Sequence, residues 1–73
     1  MDDDAAAAIG WFDQALAASP NSAEANYGMG YAQRMAGNDG AATTYLCKAI
    51  RLGDTELQRE VQGVMDAFKL TCP

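Results

Sequence analysis

Residues 7–16 read AAIGWFDQAL, and residues 41–50 read AATTYLCKAI, which repeats the same order of small and large apolar side chains. The matching pairs are Ala7 with Ala41, Ala8 with Ala42, Trp11 with Tyr45, Phe12 with Leu46, Ala15 with Ala49, and Leu16 with Ile50. A repeat of 34 residues with helical spacing is typical of units that bury an apolar face only by stacking on their neighbours. We therefore expect an all-α helical repeat scaffold.

The length and charge of the chain limit what it can be. Its 73 residues make one small domain, which buries only about 60% of the surface that its unfolded form exposes. The net charge is −5 and the five basic residues are scattered, whereas binding to nucleic acid requires a basic stripe. No stretch approaches the roughly 20 apolar residues of a membrane span. The sequence predicts no nucleic-acid partner and no membrane insertion.

Capping residues and helix stops divide the chain into four predicted helices, at residues 4–18, 23–36, 40–52 and 55–69. The first helix begins after the carboxylates of Asp2 to Asp4, which the helix dipole favours. The residues expected to end or cap the later helices are Pro20, Asn21 or Ser22, Gly37, Asn38 or Asp39, and Gly53. Because the connections are only a few residues long, sequence neighbours must run antiparallel.

The last predicted helix has the clearest amphipathic pattern. It opens with Thr55-Glu56-Leu57-Gln58, which matches a capping box in which Thr55 and Gln58 satisfy backbone amides reciprocally. Apolar residues recur at intervals of four, three and four, which places them on one face. These residues are Leu57, Val61, Val64 and Phe68.

The repeat resembles the tetratricopeptide family of helix–turn–helix repeats. In that family the second helix carries a small residue, a large apolar residue four later, alanine three later and proline five after that. The positions that match are Ala8, Phe12, Ala15 and Pro20, and then Ala42, Leu46 and Ala49 with Asp54 in place of the proline. In the family's first helix, Met29 and Gly30 fit the pattern, but Asn26 replaces an aromatic residue and Gln33 a tyrosine.

The resemblance implies about one and a half repeats followed by a C-terminal capping helix. It also implies that Gly30, Ala42 and Ala49 let paired helices approach closely, and that the two matching triplets occupy equivalent seams. The first helix would lack its partner. Either the chain is the C-terminal part of a longer array, or another copy covers this face as a homodimer. Self-association would then use Ile9, Trp11, Phe12 and Leu16.

The sequence offers little that could catalyse a reaction. It contains no histidine, the commonest general base and metal ligand. Gly28-Met29-Gly30 lies inside a predicted helix, so we interpret its glycines as sites of close helix packing and not as a phosphate-binding turn. We predict no enzymatic activity, no metal site and no cofactor.

The two cysteines leave two alternatives open. Cys47 and Cys72 do not match a zinc motif, so either they form a disulfide or one is a buried thiol and the other a terminal thiol. A disulfide requires the tail after Phe68 to fold back. It would imply an oxidising compartment, such as the bacterial periplasm or the exterior, whereas free thiols would fit the cytoplasm.

Arrays of the tetratricopeptide type present a groove lined by their first helices, where they bind peptides or helices. Carried over by spacing, the groove residues in this sequence are Glu24, Tyr27, Tyr31, Arg34 and Met35. Tyr and Arg are also enriched at interface hot spots. We therefore expect a protein-interaction scaffold for a protein or peptide partner, with homo-oligomerisation through the first helix as the alternative.

Overall fold

The computed structural model describes the backbone of residues 2–73 and the side chains of residues 4–73. Its elements are α1 (Asp2–Ala18), α2 (Ala23–Met35), α3 (Asp39–Leu52) and α4 (Thr55–Phe68), with no strand among the described residues. The predicted all-α fold class is confirmed, and each predicted helix boundary lies within two residues of the observed one. The prediction that the helix dipole favours the carboxylates of Asp2 and Asp3 concerns side chains that lie outside the described residues.

Helix α2 begins and ends at residues that the sequence marks. The Ser22 Oγ accepts a hydrogen bond from the Ala25 amide at 3.1 Å, which caps the first turn. At the other end Gly37 has a φ of +88°, its amide donates to the Arg34 carbonyl, and the Asn38 amide donates to the Gln33 carbonyl. This pair of bonds is a Schellman motif, in which glycine is favoured because it adopts positive φ without strain.

The capping box predicted for α4 is wrong. The cap is Asp54, whose side chain accepts from the Leu57 amide at 2.9 Å, so Thr55 is already the first helical residue. The Gln58 amide group instead donates to the carbonyl of Ile50 at 2.9 Å and to that of Gly53 at 3.3 Å. Gln58 therefore ties α4 to the end of α3 and does not cap its own helix.

The hydrophobic core lies between α3 and α4, and α2 packs against α3 and also touches α4. Its fully or almost fully buried residues are Leu46, Cys47, Ala49, Val61 and Met65. On α4, Val61 is buried while Leu57, Val64 and Phe68 are half-buried, as the predicted apolar face requires; the sequence pattern missed Met65. The polar side chains on the other face of α4 are exposed.

The two matching triplets do not occupy equivalent seams, so that expectation is wrong. Ala42, Leu46 and Ala49 have no exposed surface, because α3 packs between α2 and α4. The earlier triplet is less covered: Ala8 and Phe12 are half-buried and Ala15 is exposed. The reason is that α1 packs against only α2 among the described helices.

Two residues that depart from the family pattern hold the loops on either side of α2. Asn26 is 1% exposed, and its Nδ2 donates to the Ser22 carbonyl at 2.8 Å and to the Pro20 carbonyl at 3.2 Å. The Gln33 Oε1 accepts from the Asn38 Nδ2 at 2.8 Å. Each polar side chain therefore fixes a connection next to α2.

Candidate functional site

An open apolar groove of about 650 Å³ runs between α1 and α2. It exists because the antiparallel pair α1–α2 has no further helix on this side among the described residues. Small side chains on α1 and a glycine on α2 leave space that larger residues would fill. The lining residues are Asp4, Ala5, Ala8, Phe12, Tyr27, Gly28, Tyr31, Ala32 and Met35.

Three of the five predicted groove residues line this groove. Tyr27, Tyr31 and Met35 are spaced four residues apart, so they form one stripe along α2. Glu24 is exposed and outside the lining, but it precedes Tyr27 by three residues and extends the same stripe by about one turn. Arg34 is not part of the lining.

Arg34 instead packs against α4. Its guanidinium carbon lies 4.8 Å from the centre of the Phe68 ring, which is a cation–π geometry. Its Nη1 lies 3.3 Å from the Asp39 carboxylate at the start of α3. The Phe68 ring is also 5.8 Å from the Tyr31 ring, tilted by 55°. This aromatic contact joins the closing helix to a tyrosine of the groove.

Tyr27 is the groove residue whose ionisation is perturbed. Its partial burial raises the pKa of the phenol above the usual value, and interaction with the Glu60 carboxylate of α4 raises it further, followed by the nearby Tyr31 phenol. The raised pKa extends the pH range over which the Tyr27 phenol stays neutral beyond that of an exposed tyrosine. A neutral tyrosine offers an apolar ring together with one hydroxyl that can donate or accept a hydrogen bond.

The residues predicted for self-association lie on two sides of α1. Trp11 is 72% exposed and is on the same helix face as Asp4 and Ala8, because it follows them by seven and three residues. The half-buried Phe12 ring lies over Gly28 of α2 and lines the groove. Ile9 and Leu16 are half-buried. Of these four, Trp11 is the large exposed apolar side chain.

The glycines of α2 receive a large side chain from each neighbouring helix. A Cβ on Gly28 would collide with the Phe12 ring of α1, and a Cβ on Gly30 would lie 2.6 Å from the Leu46 Cγ of α3. The interpretation of Gly28-Met29-Gly30 as close helix packing is confirmed. The same packing seats Phe12 at the floor of the groove.

Cys47 and Cys72 are joined by a disulfide in the structure, which decides between the two alternatives. The tail reverses at Lys69, a left-handed residue with a φ of 58°, and the Leu70 amide then donates to the Met65 carbonyl at 2.8 Å. Leu70 packs against the α3–α4 core, and the disulfide fixes the chain beyond it to α3. A second hollow of about 480 Å³ adjoins this bond.

Neither a metal centre nor a membrane span is found in the described part of the chain. Among those residues, no three His, Cys, Asp or Glu side chains are grouped so that they could hold a metal ion. None of the described helices is both long enough and apolar enough to cross a bilayer.

No family model, curated protein or solved structure matches this chain. The groove therefore has to be interpreted from its own residues.

Sequence reasoning missed the α1 wall of the groove and the contact with α4. Asp4 and Ala8 belong to the wall, and their spacing of four was the available signal once α1 and α2 were known to be antiparallel. The contact of Phe68 with Tyr31 and Arg34 depends on how α4 crosses α2, which no local pattern specifies.

Proposed function

We propose that this chain is a protein-interaction module that binds a helical segment of a partner protein in the groove between α1 and α2. The observation that carries the proposal is the groove itself: about 650 Å³, open along its length, and lined mainly by apolar side chains. Laying the apolar face of an amphipathic helix between two helices is a recurring mode of peptide recognition.

The lining residues suit this role. Phe12 and Tyr27 form a floor and a wall, Tyr31 and Met35 continue the wall, and Ala8 leaves room for a partner side chain. Aromatic residues and methionine are enriched in the buried centres of interfaces, since they bury area and, in the case of tyrosine, keep a polar end. The stripe from Tyr27 to Met35 spans about 12 Å, or roughly two turns of a bound helix.

The proposed architecture is that of tetratricopeptide hairpins with α4 as the capping helix, in which the two triplets are unequally buried because α1 packs only against α2 among the described helices. The groove lies where a further helix would pair with α1 and α2. Such a helix, whether from a partner or from a preceding repeat, would cover the half-buried face of α1.

The proposal can be tested with a hydrocarbon-stapled helical peptide that carries leucines on one face and glutamines elsewhere. Trp11 is the single tryptophan of the chain and follows the groove residue Ala8 by three positions on the same face of α1, so we expect its emission to report binding. We expect saturable binding with a shift of emission to shorter wavelength. Ala8→Gln, which places a long side chain in the groove, should weaken binding about tenfold or more.

The matched control is Ala6→Gln, because Ala6 is exposed and lies on nearly the opposite side of α1. It should bind the peptide as the unmodified protein does, and circular dichroism should show both variants equally helical. Absence of saturable binding, or equal loss in the two variants, would refute the groove as a helix-binding site.

A second candidate is self-association through α1, which the 72% exposure of Trp11 favours. Exposed tryptophan is costly to leave in water and is common at interface centres. Sedimentation velocity over a range of concentrations tests this candidate. A dimer that forms in the unmodified protein and is lost in Trp11→Gln would support it, whereas a monomer at every concentration would remove it.

We further infer that the protein works in an oxidising compartment, such as a bacterial periplasm or the cell exterior. The support is the Cys47–Cys72 disulfide, since thiols in the cytoplasm are kept reduced. Titration of thiols in denatured, unreduced protein purified from its natural source would test the inference. Two reactive thiols per chain would instead indicate a cytoplasmic protein.

A further inference from the structure

The charged residues around the groove are acidic at both ends. Asp4 lines the groove beside the part of α2 that ends in Met35, because α1 and α2 are antiparallel. Glu24, exposed at the start of α2, extends the Tyr27–Tyr31–Met35 stripe at the opposite end. The Glu60 carboxylate of α4 lies close enough to Tyr27 to perturb it. A bound helix would thus meet carboxylates near its two ends, from Asp4 and Glu24.

Among the described residues that line the groove, none is a lysine or arginine that could balance these carboxylates. The sequence of α1 contains four aspartates and no lysine or arginine, and α2 contains one cation, Arg34. That cation is engaged elsewhere, with its guanidinium over the Phe68 ring and beside the Asp39 carboxylate. Asp4 is thus the one charged side chain among the lining residues, and its negative sign is that of the net charge of −5.

This charge distinguishes between the occupants that an apolar groove could accept. A second copy of the chain would bring another acidic α1 against the first, and like charges facing each other across an interface oppose binding. A helix with lysine or arginine beside its apolar face would place opposite charges near Asp4 and Glu24. Rim charges of this kind act mainly on association rate and on specificity.

We propose that the partner helix is amphipathic and basic, with lysine or arginine flanking an apolar stripe of about two turns. This inference rests on the proposed function, since it assumes that the α1–α2 groove binds a helix. It adds the chemical class of that helix and names the carboxylates that select it, Asp4 and Glu24.

The test uses three stapled helical peptides with the same leucine face and with flanking lysines, glutamines or glutamates. At low ionic strength we expect the lysine peptide to bind about five- to tenfold more tightly than the glutamine peptide, and the glutamate peptide to bind more weakly than both. The preference should shrink at 1 M salt, where the screening length falls to about 3 Å.

Single substitutions assign the preference to its residues. Asp4→Asn and Glu24→Gln should each reduce the ratio of lysine-peptide affinity to glutamine-peptide affinity about two- to threefold. Asp13→Asn is the matched control for Asp4→Asn: Asp13 is exposed, nine residues further along α1 and therefore half a turn around the helix. It makes the same change in net charge and should reduce the preference less.

The outcomes separate the two proposals. Equal affinity for all three peptides, or tighter binding of the glutamate peptide, overturns the basic-helix inference and leaves the interaction module standing. Failure of every peptide to bind refutes the interaction module as well. A Trp11-dependent dimer that excludes the lysine peptide identifies a second copy as the occupant and overturns the inference.

Discussion

Gly30 of α2 and Leu46 of α3 approach so closely that a Cβ on Gly30 would lie 2.6 Å from the Leu46 Cγ and 3.1 Å from its backbone nitrogen. Leu46 has no exposed surface, so it cannot move aside without displacing α3. Gly30→Ala should therefore lower the free energy of unfolding by about 1–3 kcal/mol, the usual cost of overpacking a core. Urea unfolding followed by circular dichroism measures this change.

Gly63→Ala is the control, because Gly63 lies within α4 and a Cβ there would meet no described atom within 4 Å. Alanine favours the helix over glycine, so this variant should be more stable by about 0.5–1 kcal/mol. If Gly30→Ala is stabilised to the same extent, the close approach of α2 and α3 is incorrect.

The disulfide should contribute a large part of the stability of so small a domain. It joins residues 25 apart, and the chain-entropy model assigns a loop of this size about 3–4 kcal/mol. A thiol reductant should therefore lower the midpoint of urea unfolding markedly. Cys72→Ala, in which Cys72 is replaced at an exposed position, should start from the lower midpoint and show no further response to reductant. A response in that variant would contradict the assignment to this bond.

The helices could be predicted because their boundaries are marked by local chemistry. Ser22 caps α2, and Gly37 ends it in the left-handed conformation that glycine favours. The reversal after α4 has the same geometry but is made at Lys69, a residue type that carries no such signal. The disulfide depends on this reversal, which brings the tail back to α3. Because no residue type marks the reversal, the sequence alone could not decide whether Cys47 and Cys72 meet.

The groove could be predicted only in part for a similar reason. Tyr27, Tyr31 and Met35 follow from helical spacing alone, since residues four apart share a face. Arg34 lies about 100° around α2 from Met35 and turns to Phe68, a contact set by the crossing of α2 and α4. Asn26 and Gln33 were visible as departures from a family pattern, but their roles depend on the path of the loops that they hold.

The N-cap of α4 is Asp54 in the structure, whereas the predicted capping box used Thr55. Asp54→Ala removes the side chain that accepts from the Leu57 amide at 2.9 Å and should cost about 0.5–2 kcal/mol. Thr55→Ala should cost less than about 0.5 kcal/mol, because Thr55 is exposed at the first helical position. Thermal unfolding of the pair decides between them, and the opposite order would restore Thr55 as the cap.

The raised pKa of Tyr27 makes stability depend on alkaline pH. Burial and the Glu60 carboxylate disfavour the phenolate in the folded state, so folding holds the Tyr27 proton more tightly than the unfolded chain does. This contribution is fully present below the unfolded tyrosine pKa of about 10 and is lost as pH rises through the higher folded pKa. Unfolding measured at several pH values above 10 should show the loss, relative to Tyr27→Phe.

Glu60→Gln separates the carboxylate from burial as causes of that shift. It removes the charge but leaves the packing, so the Tyr27 pKa should move down toward its usual value without reaching it. Tyrosinate absorbance, taken as the difference from Tyr27→Phe, measures the transition. An unchanged pKa would mean that Glu60 does not act on the Tyr27 hydroxyl.

Arg34 and Phe68 should be energetically coupled, because their contact holds α4 against α2. A double-mutant cycle with Arg34→Met and Phe68→Leu should give a coupling of about 0.5–1 kcal/mol, typical of a cation–π pair at a partly exposed site. A second cycle with Arg34→Met and Asp39→Asn tests the ion pair. Because the two side chains are 37% and 55% exposed, we expect their coupling to be weaker and to disappear in high salt. If Arg34 and Phe68 show no coupling, the tilted contact between Phe68 and Tyr31 is the remaining contact of Phe68 that positions this end of α4 against α2. Phe68→Leu would then disturb peptide binding only through Tyr31, so the cycle also shows whether Phe68 supports the groove by one contact or by two.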